Sequence, residues 1–278
     1  MRRLLPAILA CLLLAGCGGA GETFENAALE ETESALPGAV SASAVITDGQ
    51  APGEDLDLPT DVVSLYDWQT SGEPVALLAE IPEQGMALYG AAGGDAPHVL
   101  FRWGDTLAEF PDWAIYTPKS VTPELLALDL DGDGAAEPVV SCFQGGNQVS
   151  LYDLHVLQQS NGTLTDYRFP ESLYEEQLSD LLTLGGSGET LAISLGSQSI
   201  EAALPEGMRA EALEHLWTGA FVSWLEDGGS LWLEDRPALY PADSNLASVV
   251  SLAVLSARVS FSDGQFILSD MTLQSNLS

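Results

Sequence analysis

Four carboxylates fall within nine residues near the middle of the chain: Asp129, Asp131, Asp133 and Glu137. Like charges that converge are costly to leave uncompensated, so a cation is their natural partner. Oxygen ligands without histidine or cysteine select a hard ion, and flexible geometry favours Ca²⁺ over Mg²⁺. Gly132 and Gly134 let the backbone turn between the ligands, and the carbonyl of Ala135 could supply a further oxygen. The pattern predicts a structural calcium site over residues 129–137; the alternative is an acidic turn that binds no ion strongly.

The residues on either side of this loop are strand-like rather than helical. An EF-hand loop needs a glutamate at its twelfth position, which here is Val140. Pro138 favours an extended Glu137, as the start of a strand requires. The motif resembles the calcium loop of FG-GAP or VCBS-type repeats, found in integrin-like β-propellers and many bacterial surface proteins. That resemblance implies a loop between two strands whose acidic residues bind Ca²⁺, at the four positions above.

The other residues that could carry chemistry form no catalytic constellation. Cys142 lies in the apolar run 139–143, which favours a buried, inert thiol. Residues 185–189 fail the G-x-S-x-G pattern at the last position. His98 and His155 occur singly in strand-like runs, as ordinary edge or core residues do. Five tryptophans alternate with apolar neighbours and are more typical of a core than of a sugar platform: Trp103, Trp113, Trp217, Trp224 and Trp232.

Short apolar runs separated by glycine and proline predict that most of the chain forms strands. These runs are residues 75–81, 86–90, 98–103, 125–130, 138–143 and 149–158. Three dipeptides separate strand-like runs and predict type I′ hairpins: Asn161-Gly162, Asp227-Gly228 and Asp263-Gly264. The last of them joins residues 249–261 to residues 265–273 in a long terminal hairpin.

Two segments have helical spacing instead. Residues 171–184 place apolar side chains on one face, with Gly185-Gly186 as the stop, and residues 206–217 do the same before Gly219. Strands therefore outnumber helices. The sequence predicts a β-rich α+β fold of antiparallel hairpins and a meander with about two helices. One copy of the calcium motif is compatible with at most a partial propeller-like sheet.

The composition limits the partners that this protein can have. The chain has 278 residues, of which 41 are acidic and 8 basic, for a formal net charge of −33. That charge excludes sequence-independent binding to nucleic acid, which needs a Lys/Arg surface, and argues against a basic patch for anionic lipid. An apolar fraction of 46% leaves ample material for a core.

The first residues have the form of an export signal. Met1-Arg2-Arg3 is basic, and the apolar run at residues 4–14 is too short for a membrane span, which needs roughly 20 residues. The run ends in Leu14-Ala15-Gly16-Cys17, which resembles the lipobox of bacterial lipoproteins. The resemblance implies cleavage before Cys17, diacylglycerol on its sulfur and anchoring to the cell membrane. The alternative is an ordinary cleaved signal with a cysteine there by chance.

The segment after the signal has the composition of a tether. It is rich in Gly, Ala, Ser and Pro, and no Lys or Arg occurs between Arg3 and Arg102. Low hydrophobicity with one sign of charge does not offset the entropy of ordering. The predicted organisation is a signal peptide at 1–16, an acidic flexible tether at 17–61 and a globular body at 62–278. Within the tether, residues 24–36 could form a weak helix.

Two functions are compatible with these features. The first is a binding or scaffold lipoprotein on the outer side of a bacterial membrane, with a structural calcium loop and an unknown protein or glycan ligand. The second is an extracytoplasmic hydrolase of cell-wall or glycan material, with acids that the sequence cannot pair. Two carboxylates that converge in a deep pocket away from residues 129–137 would favour the enzyme.

Overall fold

The computed structural model of the chain describes residues 38–52, 56–93, 96–113, 115, 121–145, 150–210, 213, 218, 221–239 and 250–276. These residues form antiparallel sheets with two α-helices among them, so the predicted β-rich α+β class is confirmed. Cys17, the signal peptide and the first part of the expected tether lie outside the described residues.

The first sheet in chain order, here the N-terminal sheet, is a four-stranded antiparallel meander. Its strands are β3 (Val75–Ile81), β4 (Met86–Ala91), β5 (His98–Trp103) and β6 (Thr106–Phe110). Three of them coincide closely with the predicted apolar runs. Every residue of β4 is buried, since β3 and β5 cover its edges and apolar side chains cover its faces. The fourth strand, β6, follows the turn at Gly104.

The central sheet is a second meander with one strand added at its edge. Its meander strands are β7 (Glu124–Leu128), β8 (Glu137–Gly145), β9 (Leu151–Ser160) and β10 (Thr163–Phe169). Asn161 and Gly162 both have positive φ (51° and 79°), as the predicted type I′ turn requires. That two-residue turn pairs Ser160 with Thr163 and so fixes which side chains of β9 and β10 share a face.

Both faces of the central sheet are buried. Val139, Leu154 and Phe169 belong to a core shared with the C-terminal strands, whereas Val140 and Leu157 belong to a core shared with the N-terminal sheet. Successive strand residues point to opposite faces, so neighbours such as Val139 and Val140 enter different cores. The central sheet is therefore a middle layer, and some of its polar residues are buried, among them Asp153, His155 and Asp166.

Two further sheets complete the body. The C-terminal sheet contains β14 (Val222–Asp227), β15 (Ser230–Asp235), β18 (Ala253–Ser262) and β19 (Gln265–Ser275). A three-stranded sheet contains β11 (Leu182–Ser187), β12 (Thr190–Leu195) and β13 (Gln198–Ala203), and β16 (Ala238–Leu239) pairs with β17 (Val250–Ser251). The Asp263-Gly264 hairpin turn lies where predicted. The turn predicted at Asp227-Gly228 lies one residue later, because Gly228 and Gly229 have positive φ and Asp227 pairs with Ser230.

The helices differ from the predictions in length and number. Helix α2 (Glu171–Leu181) begins where predicted and buries Tyr174 and Leu178, but it ends before 184 because β11 starts at Leu182. Gly186 belongs to that strand and does not end the helix; an added Cβ there would overlap the Thr190 carbonyl oxygen. Neither described helix has the length and apolar character of a membrane span.

Helix α1 (Leu65–Ser71) was not predicted, although its boundaries are marked in the sequence. Ser64 is the N-cap, and its side chain accepts a hydrogen bond from Asp67 N at 3.1 Å, while Gly72 ends the helix with φ of 81°. Seven residues are too few for helical periodicity to be recognised. Of the other predicted helix, at 206–217, the described residues 206–210 are not α-helical and much of the rest lies outside the described residues.

Part of the segment expected to be a tether is built into the sheets, which is a difference from the predicted body start at residue 62. Strand β1 (Val40–Ser43) pairs with β19, and β2 (Val45–Asp48) pairs with β10 at the edge of the central sheet. The acidic run ends at Glu33, and residues 39–47 carry no charge and several β-branched side chains. Pairing with two existing strand edges supplies the stabilisation that low hydrophobicity alone does not.

Candidate functional site

The acidic loop at 129–137 connects β7 and β8 of the central sheet. Leu128 pairs with Glu137 across the hairpin, so the flanks of the loop are antiparallel strands, as the sequence predicts. Strand β7 ends at Leu128 rather than at Leu130. The loop is attached to the C-terminal sheet as well, because Phe261 N of β18 donates to the Leu130 carbonyl at 3.0 Å.

Asp129 holds the first half of the loop through its carboxylate. Gly132 N donates to Asp129 Oδ1 at 2.8 Å, and Gly134 N donates to Asp129 Oδ2 at 3.1 Å. Both glycines have positive φ, 79° and 91°, which few L-residues adopt. The two glycines therefore allow the backbone to wrap around one carboxylate.

The remaining acidic residues organise the second half of the loop. Asp133 N donates to Asp131 Oδ1 at 3.0 Å, and Ala135 N donates to Asp133 Oδ1 at 2.7 Å. Glu137 is 5% exposed, and its Oε2 accepts from Leu130 N at 2.8 Å. Burial, above all, and then the nearby Asp131 charge raise the pKa of Glu137, although the Leu130 N–H opposes this.

Three of the predicted ligands converge on one point. Carboxylate oxygens of Asp129, Asp131 and Glu137 all lie within 4.8 Å of one another. Asp133 does not belong to this group, and Ala135 is exposed. Among the described residues no Lys, Arg or His forms an ion pair with any of these acids. Uncompensated oxygens around one centre fit a hard divalent cation, which would be held by these three carboxylates.

A second group of ionisable side chains lies on the face of the central sheet that packs towards the N-terminal sheet. His155 Nδ1 is 3.0 Å from Asp166 Oδ2, and Trp113 Nε1 donates to the same oxygen at 2.6 Å. His155 is 1% exposed and Asp166 3% exposed. Because a carboxylate only accepts, the imidazole donates from Nδ1. His155 Nε2 has no hydrogen-bond partner among the described residues.

Asp153 and Arg168 extend this group along the same face. Arg168 Nη1 lies 3.8 Å from Asp153 Oδ2, a loose ion pair, and Glu171 N donates to Asp153 Oδ1 at 3.4 Å. Burial raises the pKa of Asp153, while His155 and Arg168 act to lower it. Arg168 Nε is buried without a hydrogen-bond partner in the described part of the chain.

Cys142 of β8 is buried and lies opposite Asp153 of β9. Burial raises the pKa of its thiol far above the ordinary value, and the negative charges of Asp153 and Asp166 add to the effect. A thiol that stays protonated is a poor nucleophile, so the geometry assigns Cys142 a packing role.

A cavity of about 220 Å³ adjoins the second group of ionisable side chains. Its lining combines apolar, aromatic and charged side chains from three separate parts of the chain: Val45, Thr47, Phe110, Asp112, Trp113, Asp166 and Arg168. Trp113 is 3% exposed and packs against Phe110 at 4.9 Å and His155 at 3.9 Å between ring centroids. The aromatic ring is therefore part of the wall and leaves no open platform for a sugar.

Sequence reasoning did not find this cavity, although one signal for it was present. The two-residue turn at Asn161-Gly162 fixes the register of β9 and β10, and that register places His155, Asp166 and Arg168 on one face. The contributions of Trp113 and of β2 could not be read in this way, because they depend on how distant segments pack.

No family model matches this chain, and neither the curated proteins nor the solved structures give a match to it. Its function must therefore be argued from the two groups of residues described above.

Proposed function

We propose that this protein is a membrane-anchored, extracytoplasmic bacterial lipoprotein with a binding or scaffold role, whose body is stabilised by Ca²⁺ at the 129–137 loop. The observation that carries the calcium part is the convergence of Asp129, Asp131 and Glu137, with which no basic side chain in the described part of the chain forms an ion pair. The lipobox-like Leu14-Ala15-Gly16-Cys17 supports the anchor.

The ion would act on the fold through the backbone of the loop. Leu130 N donates to Glu137, one of the converging acids, and the Leu130 carbonyl accepts from Phe261 N in the C-terminal sheet. Neutralising the three carboxylates would fix Leu130 and with it the contact between the central and C-terminal sheets. The role proposed for the ion is thus structural.

The hydrolase alternative gains little support from the cavity. Asp112 and Asp166 do line one cavity, as two catalytic acids would. However, both oxygens of Asp166 lie within hydrogen-bond distance of His155, and one of them also accepts from Trp113. A carboxylate held in this way is suited to positioning rather than to proton transfer or nucleophilic attack.

Calcium-dependent unfolding tests the structural role. Extracellular sites of this kind bind at roughly 10⁻⁴ to 10⁻³ M. At millimolar Ca²⁺ the added free energy of unfolding should be on the order of 1 to 2 kcal/mol. Melting curves in Ca²⁺ and in chelator should differ for the wild type and coincide for Asp131→Ala, whereas Mg²⁺ should substitute poorly.

Two control variants sharpen this experiment. Asp105→Ala removes an exposed turn carboxylate far along the sequence and should keep the full calcium effect. Asp133→Ala distinguishes the ligands seen in the structure from those expected from the sequence pattern. Because Asp133 is outside the converging group, this variant should retain part of the calcium effect. Equal shifts in the wild type and in Asp131→Ala would show that the loop is an acidic turn without a specific ion.

Metabolic labelling with palmitate tests the anchor. Two acyl chains are enough for stable membrane attachment, whereas one chain gives marginal binding. The wild type should incorporate the label and sediment with membranes, and Cys17→Ser should do neither. If Cys17→Ser still incorporates the label, the proposed lipid anchor at Cys17 is wrong, but the proposed calcium site is unaffected.

A further inference from the structure

The cavity beside Asp166 carries charges of both signs. Among the lining residues that the structure describes, Arg168 is basic and Asp112 and Asp166 are acidic. After loss of the signal peptide, six basic residues remain in the whole chain against 41 acidic ones. An arginine in the lining of a cavity is therefore a scarce group in this protein.

Arg168 has hydrogen-bonding capacity left over. Its link to Asp153 is long, at 3.8 Å, and its Nε is buried without a partner among the described residues. A guanidinium offers five N–H donors in a planar fork that suits a carboxylate. The Nε is out of reach of the cavity, but the Arg168 side chain is 32% exposed, so a ligand carboxylate could pair with the accessible end of the guanidinium.

The acidic side of the cavity is also available. Asp112 is exposed and makes no hydrogen bond or ion pair with a residue that the structure describes. Asp166 keeps further lone pairs besides those used by His155 and Trp113. A ligand ammonium group could be shared by these two carboxylates, with the Thr47 hydroxyl as a neutral neighbour.

The register of the strands sets the distance between the two charges. Asp166 pairs with Thr47 and Arg168 with Val45. Two residues along one face of a strand span about 7 Å, so a short ligand could reach both side chains. The volume of about 220 Å³ is below the range usual for drug-sized ligands, so the cavity suits a small ligand.

We infer that this cavity binds a small zwitterion with an ammonium and a carboxylate close together, the chemistry of a free α-amino acid. A simple anion would face Asp112 and Asp166, and a simple amine would face Arg168. A monosaccharide would lack an aromatic face, because Trp113 packs on Phe110 and His155. Only a ligand with both charges matches both sides of the cavity.

Calorimetry on the purified full chain tests this inference. The probes are the α-amino acids, each at up to about 10 mM, with methylammonium, acetate and glucose at the same concentration as single-chemistry probes. At least one α-amino acid should bind, with a Kd of about 10⁻⁵ to 10⁻³ M, and the three other probes should give no heat. No binding by any α-amino acid, or equal binding by acetate or methylammonium, would overturn the inference.

Matched variants locate the binding. Arg168→Gln and Asp112→Asn should each raise the Kd of the bound amino acid by about 10- to 100-fold, the effect of losing a charge-assisted hydrogen bond. Arg258→Gln and Asp105→Asn remove exposed charges elsewhere and should leave its Kd unchanged. Melting temperatures identify a variant that fails to fold. Because Asp112 is exposed, Asp112→Asn should keep the wild-type melting temperature, and unchanged binding by that variant would place the ligand elsewhere.

Discussion

The acidic loop and the ionisable cavity handle negative charge in opposite ways. In the loop, consecutive residues bring carboxylates together, and backbone N–H groups of the same nine residues hold them. In the cavity, each buried charge meets a side chain from a distant segment, as Asp166 meets Trp113 across 53 residues. The loop leaves its charge for an external cation to balance, whereas the buried Asp166 of the cavity is held by side-chain donors within the fold. A cluster of charges on neighbouring residues can therefore be recognised in the sequence, whereas a cluster formed by distant segments cannot.

Removing the first strands should have the largest effect, and it should separate the two regions. A chain that begins at Leu58 lacks β1 and β2, which supply Val45 and Thr47 to the cavity and cover the edges of β19 and β10. Relative to a chain that begins at Ser34, the free energy of unfolding in urea should fall by about 3 to 5 kcal/mol. The β7–β8 hairpin keeps all its own residues, so calcium should still stabilise what remains. Equal stability of the two chains would show that residues 34–57 are a tether after all.

Asp166→Ala should have the next largest effect. The variant leaves Trp113 Nε1 and His155 Nδ1 buried without their acceptor, which costs about 3 kcal/mol in urea unfolding. Asp105→Ala, at an exposed turn, should change stability by less than about 0.5 kcal/mol. If the two substitutions lower the free energy of unfolding equally, the buried hydrogen bonds of Asp166 do not stabilise the fold. The contrast drawn between the cavity and the loop would then be wrong.

The sequence predicted the fold class and the acidic loop because both depend on residues that are close in sequence. It missed the cavity because the cavity depends on contacts between distant segments. Strand runs, the type I′ turn at Asn161-Gly162 and the acidic loop are set by residues close in sequence, and local chemistry specifies them. The path of β2 along β10 depends on a strand edge that another part of the chain creates. Residues 38–52 hold one apolar run of three residues, 44–46, so their order comes from pairing that composition does not reveal.

A pH titration tests how Glu171, which lies near Asp153, relieves the repulsion of neighbouring carboxylates by keeping a proton. Burial and the neighbouring Glu175, which shares a hydrogen bond with it, raise the pKa of Glu171 to about 7 from its ordinary 4.5. The folded state therefore holds this proton more tightly than the unfolded state. The associated stability is fully present below about pH 4.5 and is lost as pH rises through about 7.

Glu171→Gln should remove this part of the pH dependence. Between pH 4.5 and 8 the wild type should lose about 1 to 2 kcal/mol more than the variant, a figure reduced for solvent screening because Glu171 is only half-buried. Urea unfolding at several pH values measures the difference. Glu176→Gln, exposed on the same helix, is the matched control and should follow the wild-type curve. Parallel curves for all three proteins would show that the proton is not shared as described.

The smallest expected effect concerns the backbone of the loop. Gly134 has φ of 91°, and an added Cβ would meet no atom within 4 Å, so Gly134→Ala tests conformation without steric overlap. Gly38 also has open space but no positive φ, which makes Gly38→Ala its control. In chelator, Gly134→Ala should lower the free energy of unfolding by about 1 kcal/mol, and Gly38→Ala should leave it unchanged or raise it slightly. In calcium the gap should widen, because Gly134 N holds Asp129 Oδ2 in the converging group. A gap that stays the same in both conditions would mean that Asp129 is not oriented by this backbone, and that the local geometry of the loop does not prepare it for the ion.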